Sequence, residues 1–328
     1  NLENACFLNA VLQLSSARPL QDSCLQRDFW QEVPGGSQAQ ELAEGFADVI
    51  GALWYPDSCK AMYVPSFSGD SQQDAQEFLK LLMGQLHLEI NRPGTGSPSL
   101  DGQSSPPPPC GGGALPEEPE LSDDEQANFM WKLYLKREDS KTVNHFVGQL
   151  KSCLKCWAYG YCSTPSRFFV TCPYPTPRKD FLWGQVSLQN CFSFFTKEEE
   201  LELENAPVCD RCRQKIQSTK KWTVQRFPQI LILHLNSCGS TKKSSVGVDF
   251  PMWRPSLGDF ASKKAGSPVY KLYALAITGH HYTAPCLCQA GWHVYNDSHV
   301  PPVSENQVAS SEGYVMFYQL MRSHPNAC

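Results

Sequence analysis

The sequence predicts an α+β fold, and three observations carry that reading. Apolar residues recur at helical spacing in the N-terminal third, short aromatic-rich runs fill the C-terminal half, and two CxxC pairs lie inside the β-like part. Runs of helices followed by runs of strands segregate the two kinds of structure instead of alternating them.

Residues 6–14 read as the first helix, with Leu8, Val11 and Leu12 on one stripe. Cys6 stands where that helix begins. A free Cys is among the most buried residue types, yet a helix N-terminus favours the thiolate, which is the attacking form. A clearer helix is "QQDAQEFLKLLMGQLHLEI" (72–90), where Ala75, Phe78, Leu79, Leu82, Leu86 and Ile90 keep the i, i+3, i+4 pattern. Residues 91–125, rich in Pro, Gly and Ser, bury too little apolar surface to fold and read as a flexible insertion. Residues 126–146 look helical again. From about Phe146 the texture turns to β, through "TKKWTVQRFPQILILHL", "YKLYALAIT", "YTAPCLCQA", "WHVYNDSHV" and "GYVMFYQL". The acidic run "KEEELELE" (197–204) reads as a solvated helix face. A helical part over 1–90, the insertion over 91–125 and a mostly β part over 126–328 are expected.

Length and composition narrow the function. The 328 residues can bury a sizeable core, enough for one large domain or about two. An apolar content of 41% and a charged content of 19% are those of a globular chain. A formal charge of −5 argues against a nucleic-acid binder, whose footprint would be basic. Apolar stretches are only a few residues long, so no membrane span is expected. The Cys count of 15 is odd and no secretory signal opens the sequence, so a reducing compartment is expected.

Four cysteines stand out by spacing. "CLKC" supplies Cys153 and Cys156, and "CDRC" supplies Cys209 and Cys212. A CxxC turn brings two thiolates to one tetrahedral ion, and two such turns complete a closed structural zinc site. A single CxxC would equally suit a redox dithiol. The separation of the pairs is long for an autonomous finger, so the ion is expected to clip the tip of a β-hairpin extension. Cys162 and Cys172 are nearby competitors that spacing does not exclude. Others, such as Cys24, Cys59 and Cys191, read as packing residues.

A Cys nucleophile needs a base within hydrogen-bond reach, and the base needs an orienting group. "GHHYTA" (279–284) offers His280 and His281 between two strands, and "WHVYNDS" places Asn296 and Asp297 at a strand end. A hairpin would set His281 opposite that pair. By spacing alone this remains a weak protease signal.

The motifs "NLENACFLNAVLQ", "SQQDAQEFLKLL", the paired CxxC, "GHHYTA" and "WHVYNDS" follow the order and spacing of the ubiquitin-specific proteases, and the resemblance spans essentially the whole chain. It implies a papain-like hand of fingers, palm and thumb, with zinc-clipped β-hairpin fingers and one structural zinc per chain. It implies thiol-dependent cleavage after the C-terminal glycine of ubiquitin, by a monomer in the cytoplasm or nucleus. Cys6 matches the family's nucleophile, His281 its general base, and Asn296 or Asp297 the orienting residue, with Asn296 preferred. Asn1 matches the amide that helps hold the oxyanion. Asp74 and Glu77 fall in the ubiquitin-contacting box, Asp74 as partner for a basic residue of the ubiquitin tail.

The sequence also departs from the family pattern. Glu3, Ala5 and His280 stand at positions around the cleft where the family has other residues, and Ser237 and Cys238 follow "LHL" in place of a basic residue and Phe. These changes favour an alternative, a ubiquitin-binding module of the same fold with little turnover. A zinc-stabilised interaction protein without ubiquitin affinity is a third reading.

Overall fold

The structure, a computed structural model, describes residues 6–12, 17–27, 41–54, 74–91, 123–157, 162–163, 165–175, 186–209, 213–236, 248–263, 265–277, 282–296, 299–309 and 313–321. Among these, six helices come first: α1 (Cys6–Leu12), α2 (Arg18–Gln26), α3 (Glu41–Trp54), α4 (Ala75–Ile90), α5 (Asp123–Arg137) and α6 (Lys141–Phe146). In α4 all of Ala75, Phe78, Leu79, Leu82, Leu86 and Ile90 are buried, the stripe the periodicity selects. Each large apolar side chain so buried contributes roughly 1.5–3 kcal/mol. Phe7 of α1 meets Phe78 edge-on with ring centroids 5.2 Å apart, which seats α1 on α4.

Two helices have no counterpart among the elements expected from sequence. Helix α3 buries Ala43, Phe46, Ala47 and Ile50, a helical stripe of small and large residues mixed. Helix α2 is tied to it by Arg27, whose Nη2 lies 2.6 Å from Asp48 Oδ1. The helix expected over 126–146 is two helices. The chain breaks before Ser140, whose Oγ caps α6 by accepting from Val143 N. Of the insertion, residues 92–122 lie outside the described residues.

The remaining elements are β1 (Gly148–Cys156), β2 (Cys162–Ser163), β3 (Ser166–Phe169), β4 (Thr171–Pro175), β5 (Val186–Ser187), α7 (Leu188–Phe195), β6 (Glu199–Leu201), β7 (Ser218–Arg226), β8 (Ile230–Asn236), β9 (Val248–Asp249), β10 (Tyr270–Ile277), β11 (Ala284–Cys288), β12 (Gly291–Tyr295), α8 (Glu305–Ala309) and β13 (Gly313–Leu320). One sheet runs β2-β1-β7-β6, with β3 also on β1. A six-stranded sheet runs β12-β11-β10-β13-β8-β4, antiparallel except where β4 meets β8. Strands β5 and β9 pair alone.

The acidic run needs a correction. Glu199–Leu201 is a strand and not a helix face, and Glu199 sits opposite Lys220 of β7. Opposite charges directly across a ladder stabilise it, and the alternation of Glu and Leu suits a half-buried strand.

The six-stranded sheet has a core on each face, and side chains alternate between them. Val315 and Phe317 of β13 join the core under α1, α3 and α4, whereas Met316 and Tyr318 join the core under α7. In β10 the ladder shifts register between Leu272 and Ala274, so Tyr273 and Ala274 both reach the helix-side core. That extra residue is a bulge.

Candidate active site

The N-terminus of α4 gathers several hydrogen bonds on the helix side of the sheet. Asp74 adopts the extended backbone of an N-cap, and its Oδ1 accepts from Gln76 N at 2.9 Å and Glu77 N at 3.1 Å. The Tyr314 hydroxyl donates to Asp74 Oδ2 at 2.9 Å, and the Tyr282 hydroxyl to the same oxygen at 3.4 Å. Tyr282 also accepts from Ala75 N at 3.3 Å. One carboxylate therefore joins α4, the start of β13 and the residue two before β11. Burial first, and the Asp74 charge second, hold the Tyr314 hydroxyl in its neutral, donating form. Asp74 thus has a structural duty beside the binding role the family resemblance implies. Glu77, in the first turn of α4, is exposed.

Cys6 is the first described residue of α1 and only 4% exposed, inside the core that also holds Tyr282 and Ala284. Tyr282 follows His281 in sequence. The hairpin expected around "GHHYTA" and "WHVYNDS" exists as β11–β12, with Ala284 opposite Tyr295 and Cys288 opposite Gly291. Gly291 at φ 111° occupies a backbone region that favours glycine and closes the turn. Asn296 lies at the hairpin's open end, exposed, exchanging backbone hydrogen bonds with His299. His281, Asp297 and Asn1 lie outside the described residues, as do Glu3, Ala5, His280, Ser237 and Cys238.

Two polar groups here give no signal in the sequence. Gln76 Nε2 and His234 Nδ1 are buried and have no hydrogen-bond partner among the described residues. His234, on β8 opposite Val315, meets the Tyr314 ring edge-on at 5.4 Å. Burial, aided by Lys80 and opposed by Asp74, pushes its imidazole down to about 4. A buried unpaired donor or acceptor costs roughly 1–3 kcal/mol.

Further along α4 a cleft of about 540 Å³ opens, lined among others by Lys80, Met83, His87, Tyr134, Phe168 and Trp222. Tyr134 and Phe168 stack at 3.9 Å across α5 and β3. From Asp74 to His87 the helix rises about 20 Å.

At the far end of the other sheet the paired cysteines come together only in part. Strand β1 ends at Cys156 opposite Ser218, the first residue of β7. Just before β7 the chain doubles back: Cys209 N donates to Gln214 O at 3.0 Å and Arg213 N to Cys209 O at 2.8 Å. Cys209 therefore lies toward the same sheet end as Cys156. Cys153 and Cys156, three apart on a paired strand, nevertheless leave it on opposite faces. Among the described residues no three candidate ligands group closely enough to hold a metal, and Cys212 lies outside them. Cys153, Cys156 and Cys209 carry thiol donors of the kind a structural zinc takes, three of the four expected. No described helix is long and apolar enough to cross a membrane.

Comparison with known proteins follows the same lines. The ubiquitin carboxyl-terminal hydrolase family profile matches residues 1–318. The chain is 69% identical over 345 residues to ubiquitin carboxyl-terminal hydrolase 21 of Mus musculus, covering 98% of this chain and 61% of that protein. It is 40% identical over 344 residues to ubiquitin carboxyl-terminal hydrolase 2 of Homo sapiens, covering 98% and 54%. The chain therefore spans about three fifths or less of these curated relatives. Among solved structures, the SAGA Ubp8/Sgf11/Sus1/Sgf73 DUB module bound to ubiquitin aldehyde matches with a TM-score of 0.69 at 19% identity, over 99% of this chain and 69% of that one. At that identity the likeness concerns the fold.

Proposed function

The chain belongs to the ubiquitin carboxyl-terminal hydrolase family, and on that footing we propose that it hydrolyses the isopeptide or peptide bond after the C-terminal glycine of ubiquitin. The observation that carries the reading is the order of features along α4. A cleft lies along the helix from Lys80 to His87, unpartnered polar groups lie at its N-terminal end, and Cys6 is in the core packed against it. From Gln76 the helix reaches the cleft at Lys80 after about 6 Å and its far end at His87 after about 17 Å, a stretch that an extended tail of about five residues spans. In this reading the body of ubiquitin rests in the cleft and its tail runs to Cys6. Gln76 and His234 supply hydrogen bonds to the tail backbone, and Asp74 and Glu77 face its basic residues.

The chemistry assigned to the site is acyl transfer. His281 takes the Cys6 proton, the thiolate attacks the glycine carbonyl, and His281 returns the proton to the leaving amine. Water then hydrolyses the thioester. Asn296, or Asp297, orients His281, and Asn1 with backbone amides receives the oxyanion. A monomer of fingers, palm and thumb acting in the cytoplasm or nucleus belongs to the same proposal.

One structural zinc held by Cys153, Cys156, Cys209 and Cys212 is also proposed. It is supported by the donor chemistry and by the approach of Cys209 to the sheet end where β1 finishes at Cys156.

Ubiquitin carrying a C-terminal electrophile tests the function. It should label Cys6, and Cys6→Ala should abolish labelling while ubiquitin still binds. Labelling that survives Cys6→Ala would refute the assignment of the nucleophile. Binding without any labelling would instead favour the non-catalytic module, the reading to which Glu3, Ala5 and His280 point.

A further inference from the structure

A second thiol group lies on the hairpin that ends at Asn296. Cys286 and Cys288 are two apart on β11, so both side chains leave the same face. Cys286 is fully buried and sits opposite His293. Cys288 is half-buried, and its direct neighbour across the ladder is Gly291, which has no side chain to cover it. Its Sγ lies 3.2 Å from the Tyr295 hydroxyl. Tyr273 of β10 and His293 of β12 are the other titratable groups beside the pair.

We propose that Cys288 is a site of reversible oxidation by hydrogen peroxide, with Cys286 as the resolving thiol. The Cys288 thiolate attacks one peroxide oxygen, an S–O bond forms and the O–O bond breaks. The departing hydroxide takes a proton and leaves as water, so sulfur loses two electrons and peroxide gains them. The Cys286 sulfur then attacks the Cys288 sulfur, its proton leaving with the expelled hydroxyl as water, and a disulfide forms. Two equivalents of a cellular thiol return both sulfurs to thiols and become a disulfide themselves.

The surroundings favour this order of events. A hydrogen bond from Cys286 is the main influence bringing the Cys288 thiol down to about 6, with Tyr295 and His293 helping against burial. Burial does the reverse elsewhere, pushing Cys172 up to about 12 and Cys191 up to about 11. Same-face residues on a strand lie about 6.6 Å apart at Cα, near the upper end of what a disulfide bridges. A bridge here therefore pulls on β11, which makes it easily reduced and releases Tyr295. Because Tyr295 precedes Asn296, oxidation should slow hydrolysis; that consequence alone rests on the proposed function.

Peptide mass mapping of the Cys6→Ala variant after peroxide treatment decides the matter. The peptide holding Cys286 and Cys288 should lose two hydrogens at least about tenfold faster than Cys172 or Cys191 reacts, and a small dithiol should restore it. In Cys286→Ser the reaction should stop at a sulfenic acid that dimedone traps on Cys288, and Tyr295→Phe should slow trapping. Cys288 reacting no faster than Cys172 and Cys191 would overturn the proposal, as would a first adduct on Cys286. Should Cys286→Ser fail to fold, alkylation rates of the same thiols in the unsubstituted chain discriminate in the same way. Failure of the deubiquitinase reading would show as absent ubiquitin-probe labelling and would leave these masses unchanged.

Discussion

The Tyr314 hydroxyl donates to Asp74 across 240 residues of sequence, at 2.9 Å. That bond fastens the last strand of the sheet to the first turn of α4. The residue expected to greet a ligand is thus also a fold-holding residue, and its substitution should be read on both scales.

Tyr314→Phe should lower stability by about 1 kcal/mol, the net worth of a typical hydrogen bond. Asp74→Ala should cost more, since it removes an N-cap worth about 1 kcal/mol and also the carboxylate to which two tyrosine hydroxyls donate. Urea denaturation of both single variants and the double variant measures the coupling. Unchanged midpoints together with weakened ubiquitin binding would assign Asp74 to the ligand alone.

His234 should make the fold acid-sensitive. Its folded-state value, pushed down to about 4, lies below the ordinary 6.5. The unfolded chain therefore takes up the proton first. Stability from the neutral imidazole is complete above about 6.5 and is lost as pH falls toward about 4, by up to roughly 3 kcal/mol. In His234→Gln the loss between those pH values should shrink by most of that amount. Equal slopes for the two proteins would show that His234 does not set the sensitivity.

Binding and chemistry should separate along α4. Gly84→Glu, at the cleft and at a position where an added side chain meets nothing within 4 Å, is expected to weaken ubiquitin binding by at least about tenfold, or 1.4 kcal/mol. Alkylation of Cys6 by a small electrophile should stay within a factor of about two of the parent rate, since no bond at Asp74 is touched. Calorimetry finding full affinity in this variant would remove the cleft from the interface.

Elemental analysis should find one zinc per chain. Chelation should loosen the β1–β7 tip before the helix-side core, because the two lie in different sheets. Hydrogen exchange would detect it as early loss of protection near Cys156 and Ser218. A protein free of zinc, or one that keeps it with both Cys209 and Cys212 changed to Ser, would rule the metal out.

What the sequence reveals depends on how local the signal is. Helix α4 declares itself because six large or small apolar residues repeat at helical spacing and all of them are buried. Helix α3 is hard to see because half of its stripe is alanine, which carries little hydrophobic contrast. The run at 197–204 misleads by its charge, and its alternation is the better guide once Lys220 stands opposite. In the proposed site, Cys6 and Asn296 are pointed to by the family resemblance, spacing alone being a weak signal. Tyr282, Tyr314 and His234 are not, because each acts on Asp74 or its neighbours from far along the chain and looks like an ordinary strand residue in its own segment.

The alternation along β13 divides its residues between two audiences. Val315 and Phe317 speak to the helices that hold Cys6, while Met316 and Tyr318 speak to α7 on the other side. In a saturating mutational survey both sets should lower abundance, since all four side chains are buried, but at matched abundance odd positions should lower activity further than even ones. One strand would then yield two interleaved phenotypes, readable from residue parity alone.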